Sequence, residues 1–448
     1  MPLTAIDIYK LLPKTNCGEC GTPTCLAFAM KLARKQASLD DCPYATEEAK
    51  AALTGASEPP IRLVKIGTGS NELEIGNETV MFRHEETFHH PCGIAVQITD
   101  ELEGDELDEK IEKINGLWFE RVGEMIGVEL IAIKETTKDA GKYANVVKQV
   151  VEKSKQTPIL MSFDPSIIES TFMETPTLAE KKPLIYAANS ENFEDMVKLA
   201  KNYNVPIVVY GEGLDELAEL TPKIKNLGVN DMILDTGERN TLKVMNDLTQ
   251  IRMQALKNNF RPLGYPTIAF ADEGDEQTLV IKATTYISKY ANIVVIDGDE
   301  PWQILPLLAL RQNLYTDPRV PPAIESKLYE VGEVSPNSPV LMTTNFSLTY
   351  YTVLGEVESS RIPAYILAID TEGQSVLTAY SSEKLNAEDS AKTIKRVGLE
   401  NMVNHKKIII PGYVAVMSGA LEAESGWNVI VGPREATSIP AFLRQYAA

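Results

Sequence analysis

Short apolar runs recur along residues 93–297, each followed by a stretch whose apolar positions repeat about every 3.6 residues. The runs read GIAVQIT (93–99), VELIAIK (128–134), PILMSF (158–163), PLIYAA (183–188), PIVVY (206–210), DMILD (231–235), TIAFA (267–271) and IVVID (293–297). They are rich in β-branched residues and lack in/out alternation, the mark of parallel strands covered on both faces. Between them the pattern predicts helices at 105–124, 139–154, 191–203, 213–227, 241–258 and 276–289, a weaker one after Asp164, and a last one at 301–312. Eight strands with helical crossovers in about 220 residues fit a (β/α)8 TIM barrel, with an open doubly wound sheet as the alternative. A short β-rich passage at 61–83, with turns at 67–70 and 76–77, precedes them.

A second alternating pattern follows a proline-rich run containing Pro318, Pro321, Pro322, Pro336 and Pro339. Its strands are SPVLMTT (338–344), IPAYILAID (362–370), KKIIIPG (406–412) and WNVIVGP (427–433), with helices at 347–358, 383–398, 413–424 and 435–446. This predicts a small, open, Rossmann-like α/β domain. At the other end, GASEPP at 55–60 reads as a linker. The expected organisation is α/β throughout: an N-terminal module at 1–58, a barrel at 59–317 and a C-terminal domain at 318–448.

Length supports this division, since 448 residues exceed one ordinary core. The formal net charge is −20, and residues 59–317 alone carry 26 basic and 42 acidic side chains. An acidic body argues against nucleic acid and anionic membranes as partners. The N-terminus lacks a charged-then-apolar signal pattern, and no apolar run approaches the ~18 residues of a membrane span. A cytoplasmic location is expected, where thiols stay reduced and clustered cysteines bind metal.

Four of the five cysteines fall within the first 42 residues: Cys17, Cys20, Cys25 and Cys42, spaced C-x2-C-x4-C-x16-C and followed by Pro43. Gly18 and Gly21 free the backbone to curl around a cluster and aim N–H groups at sulfur. Cys25 opens a helical stretch whose positive end favours thiolates. The pattern points to a [4Fe–4S] cluster. A structural zinc site and a smaller cluster are the alternatives, although zinc sites usually pair two C-x2-C knuckles and the second is missing. Cys92 stands alone and reads as a packed thiol.

The predicted strand ends of the barrel carry Thr99, Asp100, Lys134, Glu135, Asp164, Asn189, Glu212, Asp235, Asp272 and Asp297. Such groups suit a polar substrate, but Asp and Asn are equally the preferred helix caps. His84, His89, His90 and His405 form no metal triad, and no catalytic set is legible in the barrel. In the C-terminal domain the loops beyond the strands hold short polar groups. They are Thr343, Thr344, Asn345, Ser347 and Thr349 after the first strand, then Asp370, Thr371, Glu372, Gly373, Gln374, Ser375, Val376 and Leu377 after the second. Gly412 follows the third, and Gly432, Pro433, Arg434, Glu435 and Ala436 follow the fourth. Such loops can hold a large polar ligand through hydroxyls, amides and helix N-termini. Ordinary capping explains part of the same set.

Taken with KTNCGECGTPTCLAFAMKLA, DCPY, TTNFSLTYYTV, AYILAIDTEGQSVLTA and IIIPGYVAVMSGALEAESGWNVIVGP, the chain closely resembles, over its whole length, the large (gamma) subunits of corrinoid iron–sulfur proteins and of acetyl-CoA decarbonylase/synthase complexes. The resemblance implies a [4Fe–4S] domain, a TIM barrel and a C-terminal domain binding a cobalt corrinoid (a cobamide of the vitamin B12 type). It implies a methyl carrier of the reductive acetyl-CoA (Wood–Ljungdahl) pathway. Co(I) takes a methyl group from methyltetrahydrofolate, or its archaeal pterin counterpart, through a separate methyltransferase, and the methyl group passes to acetyl-CoA synthase. It further implies a small barrel subunit as heterodimer partner and a low-potential electron donor such as ferredoxin.

The residues agree with that chemistry. Cobalamin domains that supply a histidine use Asp-x-His-x-x-Gly, which is missing here, and His405 lies before a strand. The cofactor is therefore expected base-off, with Gly373, Gln374 and Ser375 near its lower face and the cluster rescuing inactive Co(II). A self-contained barrel methyltransferase or oxidoreductase with an accessory cluster and a zinc-stapled interaction subunit are the competing readings.

Overall fold

The computed structural model describes residues 5–33, 37, 39–46 and 59–447. The 55–60 linker therefore lies, but for Pro59 and Pro60, outside the described residues. Two compact units emerge, Met1–Phe119 with Ile126–Tyr315, and Glu120–Met125 with Thr316–Ala448.

The N-terminal module consists of helices α1 (Ala5–Leu11) and α2 (Cys25–Ala33) around a small core of Ile8, Leu12, Cys25, Phe28, Ala29 and Cys42. Strands β1 (Val64–Ile66) and β2 (Leu73–Ile75) then form an antiparallel hairpin. Val64, Ile66 and Ile75 share one apolar cluster with Ala95, Leu130 and Ile293 from the lower halves of barrel strands, so the hairpin stoppers the N-terminal end of the barrel.

The barrel strands are β3 (Gly93–Thr99) and, after a hairpin of β4 (Trp118–Arg121) and β5 (Glu124–Gly127), β6 (Leu130–Lys134), β7 (Thr157–Met161), β8 (Leu184–Ala188), β9 (Ile207–Tyr210), β10 (Met232–Asp235), β11 (Ile268–Ala271) and β12 (Ile293–Ile296). All eight are parallel, in the order β10-β9-β8-β7-β6-β3-β12-β11. A single parallel bridge, Leu234 to Thr267, brings β10 to β11 and nearly closes the barrel. Alternate residues divide between two cores. Ala95, Ile159, Tyr186, Ile233 and Phe270 fill the interior, while Ile94, Val96, Leu160 and Leu234 pack under the helices.

One expected helix is corrected. The 105–124 stretch is helical only over Gly104–Asn115, and Trp118–Gly127 folds as the β4–β5 hairpin. Gly116 caps the helix, and Val122 and Gly123, both with positive φ, make a tight turn that a continuing helix could not contain.

The C-terminal sheet has β13 (Leu328–Val331), β14 (Val340–Thr344), β15 (Ala364–Ile369), β16 (Lys407–Ile410) and β17 (Asn428–Val431) in the order β13-β15-β14-β16-β17. Four strands are parallel. The edge strand β13 is antiparallel to β15 and was hidden in the sequence by the surrounding prolines. Helices cover both faces, with Ala379, Ile394 and Leu421 packing on one and Tyr350, Val357 and Leu443 on the other. Two further expectations are adjusted. The 383–398 helix is shorter, Ala387–Arg396, because Asn386 caps it by accepting from Asp389 N–H. The 413–424 helix begins as 3-10 turns over Gly412–Met417 and becomes α-helical only at Ser418–Ser425.

Candidate functional site

Counted along the chain, the parallel strands β14, β15, β16 and β17 lie in the order 2-1-3-4. The connections leave β14 in opposite directions, so a crevice opens beyond β14 and β16, where open α/β sheets bind ligands. A cavity of about 300 Å3 lies there. Its walls are Leu341, Met342, Thr343, Leu348, Thr349, Thr352, Val353, Val376, Ile409, Ile410, Pro411, Tyr413, Gly432, Pro433, Arg434, Ala436 and Ile439.

Seven of the residues expected from sequence line this cavity: Thr343, Thr349, Val376, Gly432, Pro433, Arg434 and Ala436. The hydroxyls of Thr343 and Thr344 are buried and have no hydrogen-bond partner among the described residues, although the side chains are 1% and 0% exposed. Bare buried hydroxyls are costly, and here they sit at the end of the strand that borders the crevice. Gly412 and Gly432 let β16 and β17 converge. A Cβ on Gly412 would stand 2.6 Å from Gly432 O, and one on Gly432 would stand 2.9 Å from Ile409 Cγ2. Leu348, Leu377, Tyr413 and Val416 expose apolar surface in the segments around the opening.

The remaining expected residues do other work. Asn345 Oδ1 accepts from Thr371 N–H (2.9 Å), Thr371 Oγ1 (3.0 Å) and Gly373 N–H (3.1 Å), while its Nδ2 donates to Asp370 Oδ1 (3.1 Å). Asn345, Asp370, Thr371 and Gly373 thus fasten the loop after β15 to the loop after β14. Glu372 and Gly373 both take positive φ in the turn. Glu372 pairs with Lys384, and Gln374 Oε1 accepts from Ser382 Oγ at 2.5 Å. Ser375 and Thr378 share a hydroxyl bond of 3.0 Å, and Leu377 is exposed. Ser347 N–H donates to Pro322 O, and Glu435 accepts from Tyr413 OH. His405 lies before β16, its Nε2 2.9 Å from Ser338 O, outside the crevice.

The sequence reading missed the apolar half of the cavity. Leu341, Ile409 and Ile410 look like ordinary strand core, and Leu348 and Val353 like a helix stripe. The available signal was the unusual exposure required of Leu348 and Tyr413 so near a strand end.

In the N-terminal module, Cys20, Cys25 and Cys42 gather on one apolar core and Cys17 is exposed. Asn16 N–H points at Cys25 Sγ (3.4 Å), and Asn16 Oδ1 accepts from Cys25 N–H (2.8 Å). Gly18 and Gly21 take positive φ. Among the described residues no three His, Cys, Asp or Glu side chains form a ready-made metal-ligating group. The donor chemistry nevertheless suits iron, with soft sulfur ligands, an amide aimed at sulfur and a helix N-terminus at Cys25. Cys92 is fully buried, and burial pushes its thiol up to about 12.

The barrel rim is largely self-satisfied. Asp100 accepts from the N–H and Oγ1 of Thr136 and Thr137. Burial raises its pKa and those bonds lower it, for a net depression. Asp164 and Asn189 cap the chain that follows them. Asp235 receives Tyr186 OH (2.8 Å), Gly237 N–H (2.9 Å) and both terminal nitrogens of Arg239, whose guanidinium lies 4.4 Å from the centroid of Phe270. Burial works against the Arg239 charge, but Asp235 more than offsets it and raises its pKa.

A cysteine-rich module, a nearly closed parallel barrel and an open α/β sheet with a switch-point crevice define an α/β protein. Comparison with known proteins narrows this. A family model for the "CO dehydrogenase/acetyl-CoA synthase delta subunit" matches residues 63–443, and one described as "Putative Fe-S cluster" matches residues 12–44. The chain is 50% identical over 99% of both sequences to the corrinoid/iron–sulfur protein large subunit of Moorella thermoacetica. It is 36% identical, over the full length of both, to the acetyl-CoA decarbonylase/synthase complex subunit gamma of Methanothermobacter thermautotrophicus. The chain belongs to this family of corrinoid/iron–sulfur protein large subunits and decarbonylase/synthase gamma subunits. Among solved structures, the 7,8-dihydropteroate synthase of Vibrio fischeri aligns with 57% of this chain and 100% of its own, at 12% identity and a TM-score of 0.38, too low to carry an argument. No helix among the described residues is long and apolar enough to cross a membrane.

Proposed function

We propose that this chain is a corrinoid methyl carrier of the reductive acetyl-CoA pathway, with a Rossmann-type C-terminal domain holding the corrinoid and Cys17, Cys20, Cys25 and Cys42 holding a [4Fe–4S] cluster. When bound, the corrinoid supplies a cobalt that accepts a methyl group from methyltetrahydrofolate or an archaeal pterin and yields it to acetyl-CoA synthase, and the cluster supplies single electrons that reactivate oxidised cobalt.

The carrying observation is the switch-point cavity lined by Thr343, whose buried hydroxyl has no partner among the described residues. Thr343, Thr349 and Arg434 offer polar contacts in a wall that is otherwise mostly apolar, the composition of a cofactor pocket. The Asn345 network holds the 370–375 loop in a fixed shape, so Gln374 and Ser375 are presented rather than mobile. His405 is engaged elsewhere, which supports base-off binding without a histidine ligand. Four cysteines with two positive-φ glycines between them support the cluster.

The family names imply subunit partners. A small barrel subunit, a methyltetrahydrofolate:corrinoid methyltransferase, acetyl-CoA synthase and a ferredoxin-type donor are the partners this reading requires.

The test is Cys20→Ala in the anaerobic complex. Methyl transfer from prereduced protein should persist while reactivation after oxidation is lost. Loss of both in a folded, cobalt-loaded variant would contradict the division of labour.

A further inference from the structure

Before β13 the chain passes through a segment, 321–327, that belongs to no regular strand or helix. It crosses the loops at the carboxyl end of the C-terminal sheet. Lys327 O accepts from Ala368 N–H (3.0 Å) and Ser326 Oγ donates to Ala368 O (2.9 Å), both near the end of β15. Arg396 donates to Ser326 Oγ (2.7 Å) from the other side. Further back, Ala323 forms an antiparallel bridge with Phe346. Ile324 N–H donates to Asn345 O (2.9 Å), and Pro322 O accepts from Ser347 N–H (2.9 Å). Asn345 Nδ2 also reaches Ile324 O (3.4 Å). Pro321 lies against Gly373, where an added Cβ would stand 2.8 Å from Pro321 O.

These contacts fall on the parts that shape the crevice. Ser347 opens the helix Ser347–Ser360, whose Leu348, Thr349, Thr352 and Val353 wall the cavity. Asn345 is the residue whose carboxamide holds Thr371 and Gly373. The segment therefore sets one wall and the turn at 370–373 together. Its own hold is slight. Pro321, Pro322, Ala323, Glu325 and Lys327 are exposed, and half-buried Ile324 is its apolar anchor, on the cluster that contains Leu341 and Ile409. A few hydrogen bonds set against the backbone entropy of the segment leave it close to balance between docked and lifted.

We propose that residues 321–327 form a strap whose docking is coupled to occupancy of the crevice: the docked strap shapes the cavity for the corrinoid, and the filled cavity holds the strap down. The identity of the ligand rests on the corrinoid reading. Lifting the strap frees Ser347 N–H, the Asn345 carbonyl and the Gly373 turn, so a ligand that fits the preformed cavity favours the docked form. Such coupling is reciprocal and has the same size whether read at the strap or at the cofactor. Cofactor retention then depends on the segment that leads into β13, not on the cavity walls alone.

Amide hydrogen exchange of the full chain with and without cobalamin, followed over 323–327, tests this. Bound cobalamin should slow exchange there about tenfold, and Ile324→Pro, which removes the N–H that bonds Asn345 O, should weaken cobalamin binding by about the same factor. Ile324→Ala keeps that N–H and trims only the anchor, so its affinity should fall between the two. Iron content should be equal in all three proteins, and melting curves verify that each is folded. Exchange at 323–327 that cobalamin leaves unchanged overturns the strap alone, and so does equal affinity of the native protein and both folded variants. Failure of the native protein to bind cobalamin overturns the corrinoid reading and the strap with it.

Discussion

The barrel and the C-terminal domain both end parallel strands on polar loops, yet the two rims differ in how their polar groups are spent. Around most of the barrel rim the carboxylates are consumed by neighbours: Asp100 by two threonines, Asp164 by a helix start, Asp235 by Arg239 and Tyr186. The C-terminal crevice keeps a cavity lined by the bare buried hydroxyl of Thr343. Position at the end of a parallel strand is thus a weak sign of function. Unspent hydrogen-bonding capacity beside a void is the stronger one.

The sharpest way to break the comparison is Gly432→Val. The added side chain has no room against Ile409 and Ile410 and projects where the cavity is lined, so corrinoid binding should fall by about a hundredfold or more. Iron content should be unchanged. Next in size, Arg239→Ala strands the Asp235 carboxylate in the barrel and should destabilise it by about 3–5 kcal/mol in urea unfolding, with corrinoid binding intact. Asp100→Asn should cost about 2 kcal/mol at neutral pH. Because the folded-state pKa of Asp100 is depressed, its contribution is complete above the ordinary aspartate value of about 4 and disappears as pH falls through the depressed value. The gap between the two proteins should therefore close in acid. The smallest effect is the most discriminating. Thr343→Val should stabilise the cofactor-free protein by roughly 1 kcal/mol, because a bare buried hydroxyl is removed. It should also weaken corrinoid binding about tenfold. A residue with a purely structural role would not show both signs at once.

Much of the architecture was legible from the chain. The eight apolar runs marked all eight barrel strands, because strands buried on both faces cannot hide their composition. The β4–β5 hairpin was not legible, since Trp118–Gly127 continues a helical pattern and only the positive φ at Val122 and Gly123 breaks it. Strand β13 was missed because an antiparallel edge strand needs little apolar content. Within the crevice, sequence pointed to polar loops, and seven of those residues line the cavity. It could not tell Thr343, with a free hydroxyl, from Asn345, whose amide is fully committed to Thr371, Gly373 and Asp370. That distinction depends on partners 25 or more residues away.

The central claim is that the C-terminal crevice holds a corrinoid. Cobalt per chain after anaerobic reconstitution, measured side by side for the native protein and Gly432→Val, tests it most directly. The account predicts about one cobalt per native chain and close to none in the variant, with iron equal in both. Equal cobalt in the two folded proteins, or none in the native one, would contradict it.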